Sequence, residues 1–122
     1  MASKILVVDD SNIVLNLHSY ILEQAGYICA GALNGYVAIE ILLKEHYDLI
    51  ITDVNMPKMD GYELTRRIRE YEEYKQTPII IVSSEQEAKD KTRGFEAGAN
   101  VFIVKPTEPA HMVTNVKMLL DD

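Results

Sequence analysis

The chain has 122 residues, of which 48% are hydrophobic and 25% are charged, and this composition is typical of a single ordinary globular domain. Its formal net charge of −7 argues against nucleic acid as a direct ligand, because phosphate contacts require basic surface patches. The single cysteine, Cys29, and the absence of any apolar run near the roughly 18 residues of a membrane span predict a cytoplasmic protein without a membrane partner.

Five short apolar runs alternate with helical patterns along the chain. The runs lie at residues 5–8, 27–31, 49–51, 79–82 and 101–104. Four of them are continuous and rich in valine and isoleucine, which is typical of parallel strands covered on both faces. Ser11 and Asn12 are candidate caps of the first helix, and Thr107, two residues before Pro109, is the predicted cap of the last helix. The alternation predicts an α/β fold with a parallel sheet between two layers of helices.

The segment between Ser83 and Gly98 has the weakest helical pattern. Its only apolar residues are Ala88, Phe95 and Ala97. A helix with so small an apolar face gains little from packing, and Gly94 lowers its helix propensity further. We therefore expect the fourth helix to lie at the low end of local stability, as a conformational switch requires.

Polar side chains stand at the carboxyl ends of four predicted strands. Asp9 and Asp10 follow the first strand, Asp53 the third, Ser83 the fourth and Lys105 the fifth. In an open α/β sheet this edge carries the binding crevice, so the five side chains are expected to converge. Two carboxylates about 4 Å apart would repel each other by about 4 kcal/mol in a protein-like dielectric. The acidic cluster therefore predicts a cation site, with the lysine as an additional counter-charge.

The expected cation is Mg²⁺. An all-oxygen site with few protein carboxylates leaves room for water and phosphate oxygens in its octahedral shell. Histidine and cysteine do not accompany the aspartates, which argues against zinc. The three histidines are scattered, without the spacing of metal ligands, and are expected at the surface: His18, His46 and His111. A divalent ion beside a carboxylate, a hydroxyl and a lysine is typical of phosphoryl transfer.

The remaining charged residues are expected to lie on a solvent-exposed surface. Arg66, Arg67 and Arg69 stand among glutamates at helical positions after the third run, as expected of a solvated helix face. The residues Asp60 and Gly61 read as loop architecture, because aspartate and glycine favour turns.

Four segments together resemble the receiver domain of bacterial two-component response regulators. They are VVDDS at 7–11, ITDVNMPKMDGYEL at 51–64, IIIVSS at 79–84 and EAGANVFIVKP at 96–106. The resemblance extends over about residues 4–120, and the sequence motifs look most like those of receivers of chemotaxis systems. It implies a doubly wound, flavodoxin-like sheet with strand order 2-1-3-4-5. It also implies a single receiver domain over residues 1–122 without an output domain, either a regulator that acts by docking or part of a longer protein.

The resemblance implies a role for each acidic residue. Asp53 matches the phospho-acceptor. Asp10, the Asp53 carboxylate and the backbone carbonyl of Asn55 match the ligands of Mg²⁺, with Asp9 helping directly or through water. Water attacks an aspartyl phosphate in line with the leaving carboxylate, so the side chains of Asn55 and Glu85 are expected to set the lifetime of the phosphorylated state.

The resemblance also implies how the signal leaves the site. Lys105 matches the residue that contacts the phosphoryl group, and Ser83 matches the hydroxyl that hydrogen-bonds to it. Phe102 matches the aromatic switch position, where many relatives have tyrosine. The Lys105–Pro106 peptide bond matches one that is usually cis.

The implied function is a signalling switch controlled by phosphorylation. A histidine kinase or phosphotransfer protein donates the phosphoryl group, and the face of the fourth helix, fifth strand and fifth helix changes its affinity for an unidentified downstream protein. Turnover of an external substrate is not expected, only self-phosphorylation from small donors and slow self-dephosphorylation. The alternatives are a pseudo-receiver that serves as an interaction module, a flavodoxin-like binder of FMN and an aspartate-nucleophile phosphatase. The acidic DDS sequence after the first strand fits neither of the last two, which need a glycine- and hydroxyl-rich loop or a D-x-D pattern there.

Overall fold

The structure is a computed structural model that describes residues 2–84 and 91–121. Its strands are β1 (Lys4–Val8), β2 (Ile28–Ala32), β3 (Leu49–Asp53), β4 (Ile79–Ser83) and β5 (Val101–Val104). Its helices are α1 (Asn12–Gln24), α2 (Gly35–Lys44), α3 (Gly61–Arg69), α4 (Lys91–Ala97) and α5 (Pro109–Leu120), with a short 3-10 helix at Glu72–Tyr74. Within these described ranges, no helix is long and apolar enough to cross a membrane.

The five strands form one sheet in the order β2-β1-β3-β4-β5, and every neighbouring pair is parallel. The predicted parallel sheet and the strand order implied by the resemblance are therefore confirmed. Strand β2 begins one residue later than its apolar run, whereas β3 extends through Asp53 and β4 through Ser83. Because β1 pairs with β2 on one side and with β3 on the other, the order reverses beside β1, which is where such sheets bind ligands.

Apolar side chains cover both faces of the sheet. One cluster joins the sheet to α2 and α3 and includes the fully buried Leu6 and Leu64. The other joins it to α1 and α5 and includes the fully buried Leu49 and Val116. Burial of each such side chain contributes about 1.5–3 kcal/mol. These two layers hold the sheet in place, so the strand ends that carry the polar side chains have fixed positions.

The helix caps agree with the sequence pattern at the first helix and differ at the last. A side-chain oxygen accepts a hydrogen bond of 2.8–3.3 Å from the backbone N–H three residues on at Ser11, Asn34 and Asp60, the caps of α1, α2 and α3. The predicted capping by Thr107 is wrong. Helix α5 begins at Pro109, and the cap position is Glu108, which makes no capping hydrogen bond through its side chain. Proline occupies the first helical position here, so the cap is the residue directly before it.

Arg69 does not belong to the solvated face that its neighbours form, and that prediction is wrong. Its half-buried guanidinium donates to the carbonyl oxygens of Gly98 at 2.7 Å, Tyr74 at 2.7 Å and Thr77 at 2.6 Å, and to Asn100 Oδ1 at 2.9 Å. Burial lowers the pKa of Arg69 below its ordinary value. The side chain ties the end of α3 to the segment before β4 and to the turn after α4.

Helix α4 contributes little to the core. Of its seven residues, Gly94 and Ala97 are buried, while Phe95 is 49% exposed. A Cβ atom at Gly94 would lie 3.2 Å from Ile81 Cδ1 and 3.2 Å from Cδ2 of the Phe102 ring. Gly94 is therefore a packing residue as well as a weak helix former, because it lets α4 approach β4 and β5.

Candidate functional site

Asp9 and Asp10 directly follow β1 and differ in exposure. The Asp9 side chain is buried, with the residue 2% exposed, whereas Asp10 is exposed. The Asp9 backbone N–H donates to Ala32 O at 3.1 Å, and its carboxylate accepts from the Ser11 N–H at 2.9 Å. These two hydrogen bonds fix the Asp9 carboxylate at the start of α1.

Asp53 ends β3 and is held by the loop that follows it. The residue is 7% exposed, and its Oδ1 accepts from the Val54 N–H at 2.9 Å. Gly61, the first residue of α3, donates its N–H to Val54 O at 2.8 Å. A Cβ atom at Gly61 would lie 2.2 Å from Asp53 O, so only glycine lets α3 begin against the backbone of Asp53. Asp60 and Gly61 therefore position the carboxylate through the backbone.

Lys105 follows β5 and reaches both buried carboxylates. Its Nζ lies 3.2 Å from Asp53 Oδ1 and 3.3 Å from Asp9 Oδ2. The Lys105 N–H donates to Ser83 O at 2.6 Å, which anchors the loop after β5 to the end of β4. The Lys105–Pro106 peptide bond is cis. The ammonium thus lies between two carboxylates that come from different strands.

Burial and charge shift the proton affinities of this ion pair. Burial raises the pKa of Asp53; Lys105 offsets part of that rise and the neighbouring Asp9 charge adds to it. Burial alone would lower the pKa of Lys105, but attraction to Asp53 and Asp9 outweighs it, and the pKa is raised. The ammonium is therefore held in its charged form beside an aspartate that resists ionisation.

The three carboxylates form a cluster that could hold a metal ion. Asp9, Asp10 and Asp53 each offer one oxygen, and these oxygens all lie within 4.8 Å of one another. The cluster lines an open cavity of about 490 Å³. Its other lining residues in the described part of the chain are Ser11, Val14, Asn55, Ser84 and Lys105. Carboxylate and carbonyl oxygens suit Mg²⁺ and leave space for water and phosphate oxygens.

The structure does not bring the Ser83 hydroxyl into this lining. Ser83 is fully buried, and its Oγ donates to Ser84 O at 3.3 Å. Ser84, which the sequence reading passed over, is exposed and lines the cavity instead. Phe102 is half-buried on β5, with its ring centroid 6.5 Å from that of Phe95. Glu85 lies outside the described residues.

His18 is a further residue whose position differs from the prediction. It is 5% exposed, so the expected surface position is wrong. Burial lowers the pKa of His18; the Asp9 charge opposes this and Lys105 adds to it. Val14, His18 and Leu22 are spaced by four residues and share the inward face of α1, a signal that was present in the sequence. By contrast, the apolar Leu17, the residue before His18, is 54% exposed.

Comparison with known sequences identifies relatives over nearly the whole chain. The family model of the response regulator receiver domain matches residues 5–117. The transcriptional regulatory protein SrrA of Staphylococcus aureus is 38% identical over 120 residues, which cover 98% of this chain and 48% of SrrA. The chain thus spans about half the length of the curated relatives that it matches.

Solved structures show the same architecture. The chemotaxis response regulator CheY4 of Vibrio cholerae has a TM-score of 0.93 and 35% identity, and the match covers 98% of this chain and 100% of that one. The receiver domain of a sensor histidine kinase from Pseudomonas aeruginosa has a TM-score of 0.91 and 26% identity, with full coverage of both chains. In that protein a magnesium ion is coordinated in the active site cleft.

Proposed function

Because the chain belongs to the family of response regulator receiver domains, we propose that it is a two-component signalling switch and that phosphorylation of Asp53 controls this switch. The donor is a histidine kinase or a phosphotransfer protein, and the reaction uses Mg²⁺. The observation that carries the proposal is the buried Asp53 carboxylate, 3.2 Å from Lys105 Nζ and clustered with two further aspartates at the mouth of one cavity. A receiver that had lost its function would not need to keep this charge arrangement.

Asp53 is the nucleophile in this proposal. A bond forms from Asp53 Oδ to phosphorus as the bond from phosphorus to the donor breaks, and the donor leaves with the electron pair. Lys105 balances negative charge on the phosphoryl oxygens, since its ammonium already lies within 3.3 Å of both buried carboxylates. Positioning and charge neutralisation are the main requirements of such a transfer.

Mg²⁺ is the proposed cofactor. Asp9, Asp10, the Asp53 carboxylate and the backbone carbonyl of Asn55 would hold it, because all four residues line the same cavity and supply only oxygen ligands. The ion supplies positive charge that neutralises the phosphoryl oxygens and relieves the repulsion among the aspartates. Burial raises the pKa of Asp53 and the Asp9 charge adds to the rise, so a cation in the cavity would favour the ionised carboxylate.

The switch is proposed to start at Ser83 and to pass to Phe102. The Ser83 hydroxyl now donates to the Ser84 carbonyl, and turning it toward a phosphoryl group on Asp53 would break that hydrogen bond. Phe102 packs in the cluster of Val54, Ile81 and Ala97, directly beside these strand ends. Movement of the ring would alter the α4, β5 and α5 surface and its affinity for a downstream protein.

The surface of α1 supports a protein as the phosphodonor. Three large apolar side chains are mostly exposed on this helix, next to the acidic cavity: Ile13, Leu17 and Tyr20. An exposed apolar patch of this kind beside a reaction site is typical of a protein-binding surface. Burial of the patch against a kinase or phosphotransfer protein would bring the donor histidine to Asp53.

The lifetime of the phosphorylated state is proposed to be seconds to minutes. Asn55 is exposed and lines the cavity, where its polar side chain can orient an attacking water. Glu85 is assigned the same role from its place in the sequence, two residues beyond Ser83. Replacement of either side chain by leucine is expected to lengthen the lifetime several-fold.

Phosphorylation by acetyl phosphate tests the proposal. With Mg²⁺, intact mass spectrometry should detect the gain of one phosphoryl group that hydroxylamine removes. Asp53→Asn should abolish the gain, whereas Asp48→Asn, which changes an aspartate away from the cavity, should not. Absence of any gain in the wild type would indicate an interaction module that does not use phosphorylation, and an unchanged gain in Asp53→Asn would place the acceptor elsewhere.

A further inference from the structure

A second cavity adjoins the acidic one and has the opposite character. Its volume is about 690 Å³, and its surface is mostly apolar. Its lining residues in the described part of the chain are Val14, Leu17, His18, Ser84, Lys105, Pro106 and Thr107. We call this cavity the vestibule. Its lining comes from α1, from Ser84 after β4 and from the loop that joins β5 to α5.

The vestibule and the acidic cavity share a border. Val14, Ser84 and Lys105 line both. Lys105, one of these three shared residues, has its Nζ 3.2 Å from Asp53 Oδ1. Val14 thus offers apolar surface to both cavities, and Leu17 continues that surface in the vestibule.

The direction of phosphoryl transfer indicates what the vestibule holds. In an in-line transfer the leaving oxygen lies on the side of phosphorus opposite the attacking oxygen. Asp53 is 7% exposed and lines the acidic cavity, so the leaving group points from the phosphorus into the open part of that cavity. Ser84 and Lys105, which line both cavities, lie where the acidic cavity meets the vestibule.

We propose that the vestibule binds the leaving group of small phosphodonors, and that the protein prefers acyl phosphates whose acyl group is apolar or aromatic. The inference rests on the proposed phosphorylation of Asp53. The Asp53 Oδ–P bond forms as the P–O bond to the acyl group breaks, and the acyl group leaves as a carboxylate anion with the electron pair. The transfer needs no proton and no redox partner. The apolar part of the acyl group covers Val14 and Leu17.

Benzoyl phosphate and acetyl phosphate are the probes that test this inference. Initial rates of Asp53 phosphorylation are measured by intact mass with Mg²⁺ and low donor concentrations, and the quantity compared is the ratio of the two rates. The donors differ in intrinsic reactivity, but this difference is the same for every variant and cancels when ratios are compared.

Leu17→Asn is the test variant and Leu43→Asn the matched control. Both leucines are largely exposed, at 54% and 59%, so neither change threatens the fold, and Leu43 lies on α2 away from the vestibule. Leu17→Asn should lower the benzoyl-to-acetyl ratio by roughly threefold to tenfold, the range expected when about half a leucine side chain loses its apolar contact. Leu43→Asn should leave the ratio at the wild-type value.

The possible outcomes separate the two proposals. If acetyl phosphate labels Asp53 and the ratio is the same in all three proteins, or falls equally in both variants, the vestibule does not recognise the leaving group, while the phosphorylation switch stands. If neither donor labels the wild type, the proposed function fails and the vestibule assignment fails with it.

Discussion

Helices α3 and α4 pack against each other on the same face of the sheet, yet they are held in different ways. Helix α3 has a side-chain cap at Asp60, a backbone contact at Gly61 and five buried residues. Helix α4 buries two residues, Gly94 and Ala97, and exposes Phe95. Its firm attachment is at its C-terminal end, where Arg69 of α3 binds the Gly98 carbonyl.

In the proposed phosphorylation switch, this difference corresponds to two tasks. The loop from Asp53 to α3 must keep a carboxylate in one position, because transfer chemistry tolerates little displacement of the reacting atoms. In that switch Ser83 and α4 respond to the modified Asp53, and elements with few buried apolar contacts rearrange at low cost. Four changes can break or sharpen this comparison.

The largest effect is expected from Gly61→Ala. The new Cβ would lie 2.2 Å from Asp53 O, a backbone atom that can move only with the end of β3. We expect the free energy of unfolding to fall by about 3 kcal/mol, at the upper end of overpacking costs. Urea denaturation followed by circular dichroism measures the change. A loss below 1 kcal/mol would show that the Asp53 loop is less rigid than its contacts indicate.

Arg69→Ala should have the next largest effect. The guanidinium serves the acceptors of Gly98, Tyr74, Thr77 and Asn100, and its loss leaves partly buried carbonyl groups without this donor. We expect a destabilisation of about 2 kcal/mol. Arg66→Ala, which removes a surface pair with Glu63, is the control and should change stability by less than about 0.5 kcal/mol. Equal effects of the two changes would mean that Arg69 does not anchor the end of α4.

Asp53→Asn should stabilise the metal-free protein. The folded-state pKa of Asp53 is raised, so ionising it costs stability, and the stability of the wild type should fall as the pH rises above the ordinary aspartate value toward the raised one. The variant lacks this loss and should melt roughly 2–6 °C higher at neutral pH in a chelating buffer. Scanning calorimetry at pH 5 and 7.5 tests the direction of this pH dependence. The difference in melting temperature between Asp53→Asn and the wild type should be smaller at pH 5.

Two further measurements check the origin of that difference. Asp10→Asn should stabilise less than Asp53→Asn, since Asp10 is exposed and its charge is better hydrated. Added Mg²⁺ should raise the melting temperature of the wild type more than that of Asp53→Asn, because the ion binds the folded wild type through one more carboxylate. If Asp53→Asn were less stable than the wild type without metal, ionisation of Asp53 in its buried position beside Asp9 would not cost stability.

The smallest effect on stability is expected from Gly94→Ala. Among the described residues, the three atoms nearest to the new Cβ belong to side chains, Ile81 Cδ1 and the Phe102 ring at 3.2 Å, and these can shift by a few tenths of an ångström. Alanine also improves helix propensity by about 1 kcal/mol, which offsets the crowding. We expect a net change in unfolding free energy below about 1 kcal/mol in either direction, measured beside Gly61→Ala. A loss as large as that of Gly61→Ala would remove the contrast between the two helices.

The sequence alone determined the α/β architecture, because four continuous runs of valine and isoleucine can be satisfied only by strands covered on both faces. It also determined that Asp9, Asp10, Asp53 and Lys105 would share one edge of the sheet, since the carboxyl ends of parallel strands lie together whatever the details of packing. Local chemistry was readable at Ser11, which was a candidate cap and caps α1. Asp60, predicted only as part of a loop, caps α3.

Only the tertiary structure decided which way individual side chains face. The helical spacing of α1 is compatible with either Leu17 or His18 facing inward, and packing on the sheet buries the polar residue and exposes the apolar one. The Ser83 hydroxyl points to a backbone carbonyl, and Ser84 lines the cavity, because a strand turns successive side chains to opposite sides at the point where it ends. Arg69 is half-buried because its long side chain reaches the carbonyl group of Gly98, 29 residues further along the chain. A partner so distant in sequence leaves no periodic signal in the chain.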